Sequence, residues 1–273
     1  MSIHTKIRRL TVRHIAERKG GEPLVCLTAY TAPMARLLDP YVDLMLVGDS
    51  VAQAIHGMES TIPVPLDLMI YHAQAVMRGA QRACVVVDLP FGTYEESPEA
   101  AFRTAAEVLK KTGAAAVKIE GGQKMARTIA FLTQRGVPVM AHIGLLPQEV
   151  NVKGGYRVAG RSREEWPSII ADAKAVAEAG AFCVVLEGTA EPLAREITAA
   201  VPIPTIGIGA SALCDGQILV TEDMLGLLGK TPSFVRRYGQ LDGAIGEAVA
   251  AFAADVKARR FPGPEHTYGL RQD

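Results

Sequence analysis

The sequence predicts a single (β/α)8 barrel of the TIM type, and three observations favour it. Short apolar runs typical of strands alternate about eight times with segments of helical pattern. At least five of these apolar runs end in a polar residue. No linker-like tract or change of composition divides the 273 residues. Eight alternations in one uninterrupted chain favour a closed barrel over an open doubly wound sheet.

The strands are predicted from short apolar runs bounded by turn residues. They cover 24–30, 43–48, 83–87, 114–122, 137–142, 182–187, 203–209 and, as a shorter candidate, 217–220. Helical patterns cover 11–18, 32–38, 66–78, 98–112, 125–134, 167–179, 191–200 and 243–260. The first helix is expected to plug the barrel from below or to contact another subunit. We expect one domain over residues 1–273, ending in a polar tail from 262.

Capping residues support several helix boundaries. Ser97 precedes Pro98 at the start of one helix, and Gly113 follows its end. The helix before the sixth strand has two possible starts, because Ser162 with Glu165 resembles a capping box while Pro167 suits a first turn. Two long segments, 51–65 and 143–161, lack clear periodicity. Long loops of this kind are more often functional than idle.

Composition argues against several classes of function. Lys and Arg together number 29, as do Asp and Glu, and no long basic run is present, so binding to nucleic acid or to an anionic membrane has little electrostatic support. The first ten residues lack the apolar core of a signal peptide, and no run is long enough to cross a bilayer. The four widely spaced cysteines are predicted to be reduced core residues of a cytoplasmic protein.

Three carboxylates end neighbouring strands and predict a metal site. Asp49, Asp88 and Glu120 close strands two, three and four, and strands of a barrel deliver their carboxyl ends to one mouth. Three carboxylates would repel one another there unless a cation lay among them, and oxygen ligands suit Mg²⁺. Structural roles remain alternatives, since Asp49 could cap the next turn and Asp88 could brace a loop.

Lys118 shares one strand face with Glu120, because side chains two apart in a strand point the same way. It could hold a substrate carboxylate or carbonyl oxygen, form a Schiff base, or belong to a buried structural ion pair. A nearby metal site would make the Schiff base unnecessary.

Two further residues end strands five and six. Glu187 follows a run of Val and Leu, a setting that suits a general base, although a salt bridge to Arg161 is the alternative. His142 is predicted to touch the substrate because of its position, although a lone His is often only a hydrogen-bonded core residue. Three further histidines, His56, His72 and His266, are interpreted as structural.

The chain resembles the ketopantoate hydroxymethyltransferase family through motifs that follow one another over nearly the whole sequence. The matching segments are 27–30 (LTAY), 46–50 (LVGDS), 88–91 (DLPF), 117–122 (VKIEGG), 142–145 (HIGL), 147–151 (PQEVN), 154–156 (GGY), 160–161 (GR), 207–210 (GIGA), 215–217 (DGQ) and 265–266 (EH). Three positions depart from the usual family pattern, namely Thr31, Leu146 and Ser211. None of the three is a proposed ligand, although Ser211 could alter a loop on the folate side.

The resemblance implies a set of roles for the strand-end residues. Asp49, Asp88 and Glu120 match the Mg²⁺ group, with Glu120 acting through water, and Asp49 and Asp88 also lie where the substrate binds. Ser50 and Lys118 match substrate contacts, and Glu187 matches the proton acceptor.

The resemblance also implies a reaction and an assembly. Members of the family transfer a hydroxymethyl group from 5,10-methylenetetrahydrofolate to 3-methyl-2-oxobutanoate through a Mg²⁺-stabilised enolate, the first committed step of pantothenate synthesis. They have a barrel like that of the phosphoenolpyruvate/pyruvate superfamily, and bacterial members form homodecamers.

Two other functions remain open at this point. A related barrel enzyme could use the same carboxylates to cleave a C–C bond of a 2-oxo or 2-hydroxy acid. Such a lyase would typically carry a reactive Cys in a Lys-Lys-Cys-Gly type of loop, which this sequence lacks. A binding or assembly protein without catalytic activity would not need Glu187 opposite a metal group.

Overall fold

Eight parallel strands close into a barrel in the computed structural model, which describes residues 9–269. Each strand pairs with the next along the chain, and β1 pairs with β8 to complete the ring. The strands are β1 Leu24–Thr28, β2 Leu44–Val47, β3 Cys84–Asp88, β4 Ala116–Glu120, β5 Val139–Gly144, β6 Cys183–Glu187, β7 Thr205–Ile208 and β8 Gly216–Leu219. The predicted (β/α)8 barrel is therefore confirmed.

The interior of the barrel is packed with apolar side chains below the mouth. Alternate residues of each strand point inward, as the two-residue period of a strand requires. The buried cluster comprises Leu24, Cys26, Leu44, Leu46, Cys84, Val86, Ala116, Met140, Phe182, Cys183, Val185, Ile206 and Ile218, together with Ile15 of the first helix. The first helix thus plugs the barrel, as one of the two sequence interpretations predicted. Further inward positions towards the mouth carry polar residues.

The helices lie close to their predicted positions. Those of four or more residues are α1 Val12–Ala16, α2 Ala32–Leu38, α3 Val51–Ala54, α4 Leu66–Gly79, α5 Pro98–Thr112, α6 Ala126–Thr133, α7 Val150–Lys153, α8 Trp166–Glu178, α9 Glu191–Ala200, α10 Thr221–Met224 and α11 Leu241–Lys257. Ser97 Oγ accepts the N–H of Ala100 at 3.1 Å at the start of α5, and Gly113 ends that helix with φ +74°. The Ser–Pro and Gly signals therefore placed α5 correctly.

The two long loops contain short helices that periodicity did not reveal. Helix α3 lies in the first loop, and α7 lies in the second, directly after a 3-10 turn at Pro147–Glu149. Four residues form about one turn, which is too short for an amphipathic pattern. Ser162 caps a separate 3-10 turn by accepting the N–H of Glu164, and α8 then begins at Trp166. Of the two proposed starts of this helix, the one at Pro167 is therefore confirmed, because Pro167 lies in the first turn of α8. The Ser162–Glu165 capping box is not formed, since the Glu165 carboxylate accepts the N–H of Gly160 instead.

Asp215 ties three segments together at the N-terminal end of the strands. Its Oδ2 lies 2.9 Å from Lys19 Nζ and accepts the N–H of Thr205 at 2.8 Å, while its Oδ1 accepts the N–H of Gly20. Burial favours a raised pKa for Asp215, but these donors outweigh burial and lower the pKa. The carboxylate therefore links the segment after α1 to β7 and β8.

The chain divides into two compact units, with the barrel ending at Thr221 and a second unit beginning at Glu222. In the second unit, α11 contains no buried residue. Four of its larger apolar side chains, Ile245, Val249, Phe252 and Val256, are exposed. The helix was predicted, and these apolar side chains face solvent. A single domain over residues 1–273 stays a prediction.

Across residues 9–269, the helices are all too short or too polar to span a membrane.

Candidate active site

The mouth of the barrel collects the polar residues that end its strands. Asp88, Glu120, His142 and Glu187 belong to β3, β4, β5 and β6, and Asp49 lies just beyond β2. Asp88 is 2% exposed, Glu120 5%, His142 2% and Asp49 4%. The Glu187 side chain is 20% exposed. Charged groups buried to this extent need partners in the protein or in a ligand.

Lys118 forms an ion pair with Asp88 across two neighbouring strands. The register of β3 and β4 aligns the two residues, and Lys118 Nζ lies 2.8 Å from Asp88 Oδ1. Burial opposes the charge of Lys118, but the carboxylates of Asp88, Glu120 and Asp49 outweigh it and raise the Lys118 pKa. Lys118 is therefore a protonated cation among carboxylates.

His142 lies between two carboxylates. The register of β4 and β5 aligns it with Glu120, whose Oε1 lies 3.4 Å from His142 Nδ1. On the other side, His142 Nε2 lies 3.2 Å from Glu187 Oε2. Neither ring nitrogen has hydrogen-bond geometry, so both contacts depend on charge. Burial and Lys118 act to lower the His142 pKa, but Glu120 and Glu187 outweigh them and raise it to about 9.

Gln148, which was given no role on sequence grounds, contacts two of the three carboxylates. Its backbone N–H donates to Glu120 Oε2 at 3.0 Å. Its side-chain Nε2 donates to Asp49 Oδ2 at 2.9 Å and to the carbonyl of Leu89 at 3.0 Å. Gln148 is itself 6% exposed. One residue of the loop after β5 thus joins groups from β2, β3 and β4.

Tyr94 in turn holds the side chain of Gln148. The Tyr94 hydroxyl donates to Gln148 Oε1 at 2.6 Å and accepts the N–H of Glu120 at 3.2 Å. Burial raises the Tyr94 pKa, so the hydroxyl keeps the proton that it donates. Tyr94 lies in the turn region after β3, which shows no periodicity in the sequence. Neither residue carried a pattern that could have revealed its partners.

Each of the three carboxylates has one oxygen anchored by an N–H group. Gln148 anchors Asp49 Oδ2 and Glu120 Oε2, and the Asp49 N–H anchors Asp88 Oδ2 at 3.0 Å. Asp88 Oδ1 and Glu120 Oε1 are buried and have no hydrogen-bond partner among the described residues. They face Lys118 and His142, respectively. The second oxygens are therefore turned towards positive charge.

The pKa values of Asp49 and Glu120 depend on burial and on the charges beside them. Burial, followed by the charges of Asp88 and Glu120, raises the pKa of Asp49 to about 7. Burial would also raise the pKa of Glu120, but His142, Lys118 and the N–H of Gln148 outweigh it and lower that pKa. A further positive charge beside Asp49 would favour its ionised form.

The group suits a hard divalent cation held by few protein ligands. Within the described part of the chain, no three His, Cys, Asp or Glu side chains gather closely enough to hold a metal ion by themselves. Mg²⁺ is commonly held by one or two carboxylates, with water and substrate oxygens completing its coordination. Asp49 and Asp88, which are adjacent and buried, offer such a pair. The oxygen donors and the raised Asp49 pKa fit this ion.

Ser50 belongs to a hydrogen-bonded chain that reaches the surface. Its Oγ lies 2.8 Å from the hydroxyl of the buried Tyr30, whose carbonyl lies 2.7 Å from His72 Nδ1. His72 Nε2 then lies 3.0 Å from His56 Nε2. The interpretation of these two histidines as structural agrees with this arrangement, because they support Tyr30 from outside the mouth.

Gly144, which ends β5, permits a close approach to Glu187. The two residues are aligned in the β5–β6 register. Gly144 has φ +95°, and a Cβ atom there would collide with the carbonyl oxygen of Glu187. The N–H of Leu145 donates to that carbonyl at 2.9 Å. A side chain at residue 144 would therefore displace the backbone that carries Glu187.

A cavity of about 710 Å³ opens beside the ends of β4 and β5. Gly121 and Gly144 line it next to the strand ends. Its charged lining consists of the cations Lys124, Lys153 and Arg157 and the carboxylates Glu149, Glu165 and Asp172. Within residues 9–269, neither Lys124 nor Arg157 has an ion-pair partner. The volume is that of a typical small-molecule site.

The structure brings every predicted site residue to the barrel mouth. Glu187 lies on β6, opposite β2 in the ring, and its ionic partner is His142 rather than the predicted alternative, Arg161. His142 is buried between carboxylates rather than standing alone. The roles of Asp49, Ser50, Asp88, Lys118, Glu120, His142 and Glu187 stay predictions.

Comparison with known structures supports the fold. Phosphoenolpyruvate phosphomutase from Streptomyces platensis subsp. rosaceus superposes with a TM-score of 0.62 at 13% identity, covering 96% of this chain and 92% of that one. A phosphonopyruvate hydrolase in complex with oxalate and Mg²⁺ superposes with a TM-score of 0.57 at 13% identity, covering 94% and 93%. Neighbours also include a lyase of the PEP mutase/isocitrate lyase superfamily. At these identities the likeness concerns the fold alone.

Sequence comparison finds relatives that are far more similar to this chain. The 3-methyl-2-oxobutanoate hydroxymethyltransferase of Phenylobacterium zucineum is 61% identical over 270 residues, which is 98% of each chain. The protein of the same name from Rhodospirillum centenum is 59% identical over 273 residues, or 100% of this chain and 99% of the relative. A profile of the ketopantoate hydroxymethyltransferases matches residues 9–264. The chain therefore belongs to the ketopantoate hydroxymethyltransferase family of enzymes.

Proposed function

We propose that this protein transfers a hydroxymethyl group from 5,10-methylenetetrahydrofolate to 3-methyl-2-oxobutanoate, giving ketopantoate and tetrahydrofolate in pantothenate synthesis. The names of its relatives support the transfer and the acceptor. The observation that carries the proposal is the buried group at the mouth, in which Asp49, Asp88 and Lys118 adjoin a His142–Glu187 pair. It combines a site for an anionic 2-oxo acid with a carboxylate able to remove a proton.

The acceptor binds where the carboxylates and Lys118 meet. Asp49 and Asp88 would hold Mg²⁺, with Glu120 acting through water. Bound there, Mg²⁺ would polarise the 2-oxo group and stabilise the negative charge that develops on its oxygen. Lys118 attracts the acceptor carboxylate, and Ser50, fixed by Tyr30, contacts its polar end. The acceptor is thereby oriented with C3 exposed to a base.

Glu187 is the base that removes the C3 proton. It is the least buried of the mouth carboxylates, and His142 holds its Oε2 at 3.2 Å. A positioned ionic partner fixes the carboxylate without occupying its second oxygen. The resulting enolate carbon attacks the one-carbon unit of the donor, a formaldehyde equivalent. One water is consumed in the overall reaction, and tetrahydrofolate leaves.

The cavity beside β4 and β5 takes the folate donor. It begins at Gly121, which directly follows Glu120, and at Gly144, which is aligned with Glu187 in the β5–β6 register. Lys124 and Arg157 line it as exposed cations, which suits the carboxylates at the glutamyl end of a folate. A cavity of about 710 Å³ accommodates a molecule of this class.

Cleavage of a C–C bond by a reactive cysteine finds no support at the mouth. Cys26, Cys84 and Cys183 belong to the apolar interior of the barrel, and Cys214 is buried as well. Burial raises the pKa of Cys26 and Cys183, which disfavours the reactive thiolate. Four reduced, buried cysteines also support the proposal of a cytoplasmic enzyme. Assembly into a homo-oligomer, by resemblance a decamer, remains part of the proposal.

The test is proton exchange at C3 of 3-methyl-2-oxobutanoate. The protein is incubated with the acid in D₂O without folate, and loss of the C3 proton is followed by NMR with and without Mg²⁺. Exchange that requires both protein and Mg²⁺ is expected. Absence of exchange, together with no ketopantoate after 5,10-methylenetetrahydrofolate is added, would refute the proposed reaction.

A further inference from the structure

We infer that Gln148, held by Tyr94, is a positioning residue that decides which oxygens of Asp49 and Glu120 face the bound acceptor and cation. The inference deepens the proposed function and rests on it for the identity of the acceptor. The two residues act through the carboxylates, by hydrogen bonds that are all visible in the structure.

Gln148 anchors one oxygen on each carboxylate. Its backbone N–H holds Glu120 Oε2, and its side-chain Nε2 holds Asp49 Oδ2. A carboxylate with one oxygen fixed by an N–H cannot rotate without breaking that bond. The second oxygens, Asp49 Oδ1 and Glu120 Oε1, are therefore held in one arrangement, with Glu120 Oε1 towards His142. Gln148 therefore sets the orientation of two carboxylates, one just beyond β2 and one on β4, and these two strands are not adjacent in the barrel.

Tyr94 determines the orientation of the Gln148 amide. An unrestrained amide could turn over and place Oε1 against Asp49, where two acceptors would face each other. The Tyr94 hydroxyl donates to Oε1 at 2.6 Å, while Leu89 accepts from Nε2. These two contacts leave one favourable orientation, with the NH₂ group towards Asp49. Because Tyr94 also accepts the Glu120 N–H, it fixes the backbone at the end of β4.

Burial makes this arrangement costly to disturb. Tyr94 is 1% exposed and Gln148 6%, so water cannot readily replace a lost partner. Groups that orient metal-binding carboxylates typically change metal affinity by about 10- to 100-fold when removed. A purely structural role, in which the pair only closes two loops, would lower stability and leave the affinity of the folded protein unchanged.

Tyr94→Phe is the main test, because it keeps the ring and removes only the hydroxyl. Binding of Mn²⁺, used as a spectroscopic substitute for Mg²⁺, is measured by electron paramagnetic resonance with and without 3-methyl-2-oxobutanoate. We expect Mn²⁺ affinity to fall by about 10-fold or more with the fold retained. Gln148→Met, which removes both side-chain bonds to Asp49 and Leu89, should lower it further. Tyr41→Phe is the matched control, since Tyr41 is exposed and its hydroxyl has no partner among the described residues.

The outcomes separate this inference from the proposed function. If both variants fold and bind Mn²⁺ as the unmodified protein does, the inference is wrong, whatever the exchange assay shows. A lowered melting temperature with unchanged Mn²⁺ affinity would also overturn it and leave a structural role. If the unmodified protein binds Mn²⁺ but never exchanges C3 protons, the proposed reaction fails while the positioning effect on Mn²⁺ can still be measured.

Discussion

His142 Nε2 lies 3.2 Å from Glu187 Oε2, and its other ring nitrogen faces Glu120. One imidazole therefore connects the carboxylate proposed as the base with a carboxylate of the proposed cation site. With a pKa of about 9, the ring is charged at neutral pH and attracts both carboxylates. This contact gives Glu187 a fixed position at the mouth, which a general base needs.

Asp88→Asn should greatly weaken the Mg²⁺-dependent binding of 3-methyl-2-oxobutanoate. The substitution keeps the size but removes the charge that serves both the cation and Lys118, which lies 2.8 Å away. Calorimetric titration with and without Mg²⁺ should show a loss of at least about 10-fold. Asp67→Asn is the control, because Asp67 is exposed in the first turn of α4. Unchanged metal-dependent affinity in Asp88→Asn would remove Asp88 from the site.

Lys118 should not form a Schiff base with the acceptor. Its ammonium is paired with Asp88, and its raised pKa keeps it protonated and therefore poorly nucleophilic. Borohydride added to the protein and 3-methyl-2-oxobutanoate should leave the protein mass unchanged and the activity recoverable. A reduced adduct located on Lys118 by mass spectrometry would contradict the proposed mechanism.

Arg157→Ala should raise the KM for 5,10-methylenetetrahydrofolate by about 10-fold, the effect of losing about 1.4 kcal/mol. Arg157 lines the cavity proposed for the donor and has no ion-pair partner in the described chain. Folate-free exchange at C3 should continue, because the acceptor site is separate. Arg195→Ala provides the control, because Arg195 is also an exposed arginine but lies on α9. An unchanged KM would exclude Arg157 from donor binding.

Asp215→Asn should destabilise the barrel by about 2 to 4 kcal/mol at neutral pH, because the carboxylate accepts several buried hydrogen bonds. The folded-state pKa of Asp215 is lowered, so this contribution is present above the unfolded-state value of about 3.9 and is lost as pH falls through the folded-state pKa. The free energy of unfolding is measured with denaturant for the variant and for the unmodified protein. The difference between the two values should therefore become smaller as the pH is lowered into the acid range. A difference that grows in acid would contradict this role.

Much of the site could be predicted because strand ends in a barrel meet by geometry. The two-residue period placed Lys118 and Glu120 on one face, and strand order placed Asp49 and Asp88 beside them. Gln148 and Tyr94 could not be assigned, because they lie in segments without periodicity and their partners are distant in sequence. The charge-dependent contacts of His142 likewise required the register of three strands. For α11, the sequence indicated a helix but not the exposure of its apolar side chains.

Glu187→Gln tests the proposed proton transfer most directly, because it keeps the size of the side chain and removes its basicity. The variant should still bind Mg²⁺ and 3-methyl-2-oxobutanoate, since neither depends on that carboxylate. Its rate of C3 deuterium exchange, measured by NMR in D₂O without folate, should fall by about two to four orders of magnitude. Exchange at nearly the unmodified rate would show that another group removes the proton and would contradict the mechanism proposed for this protein.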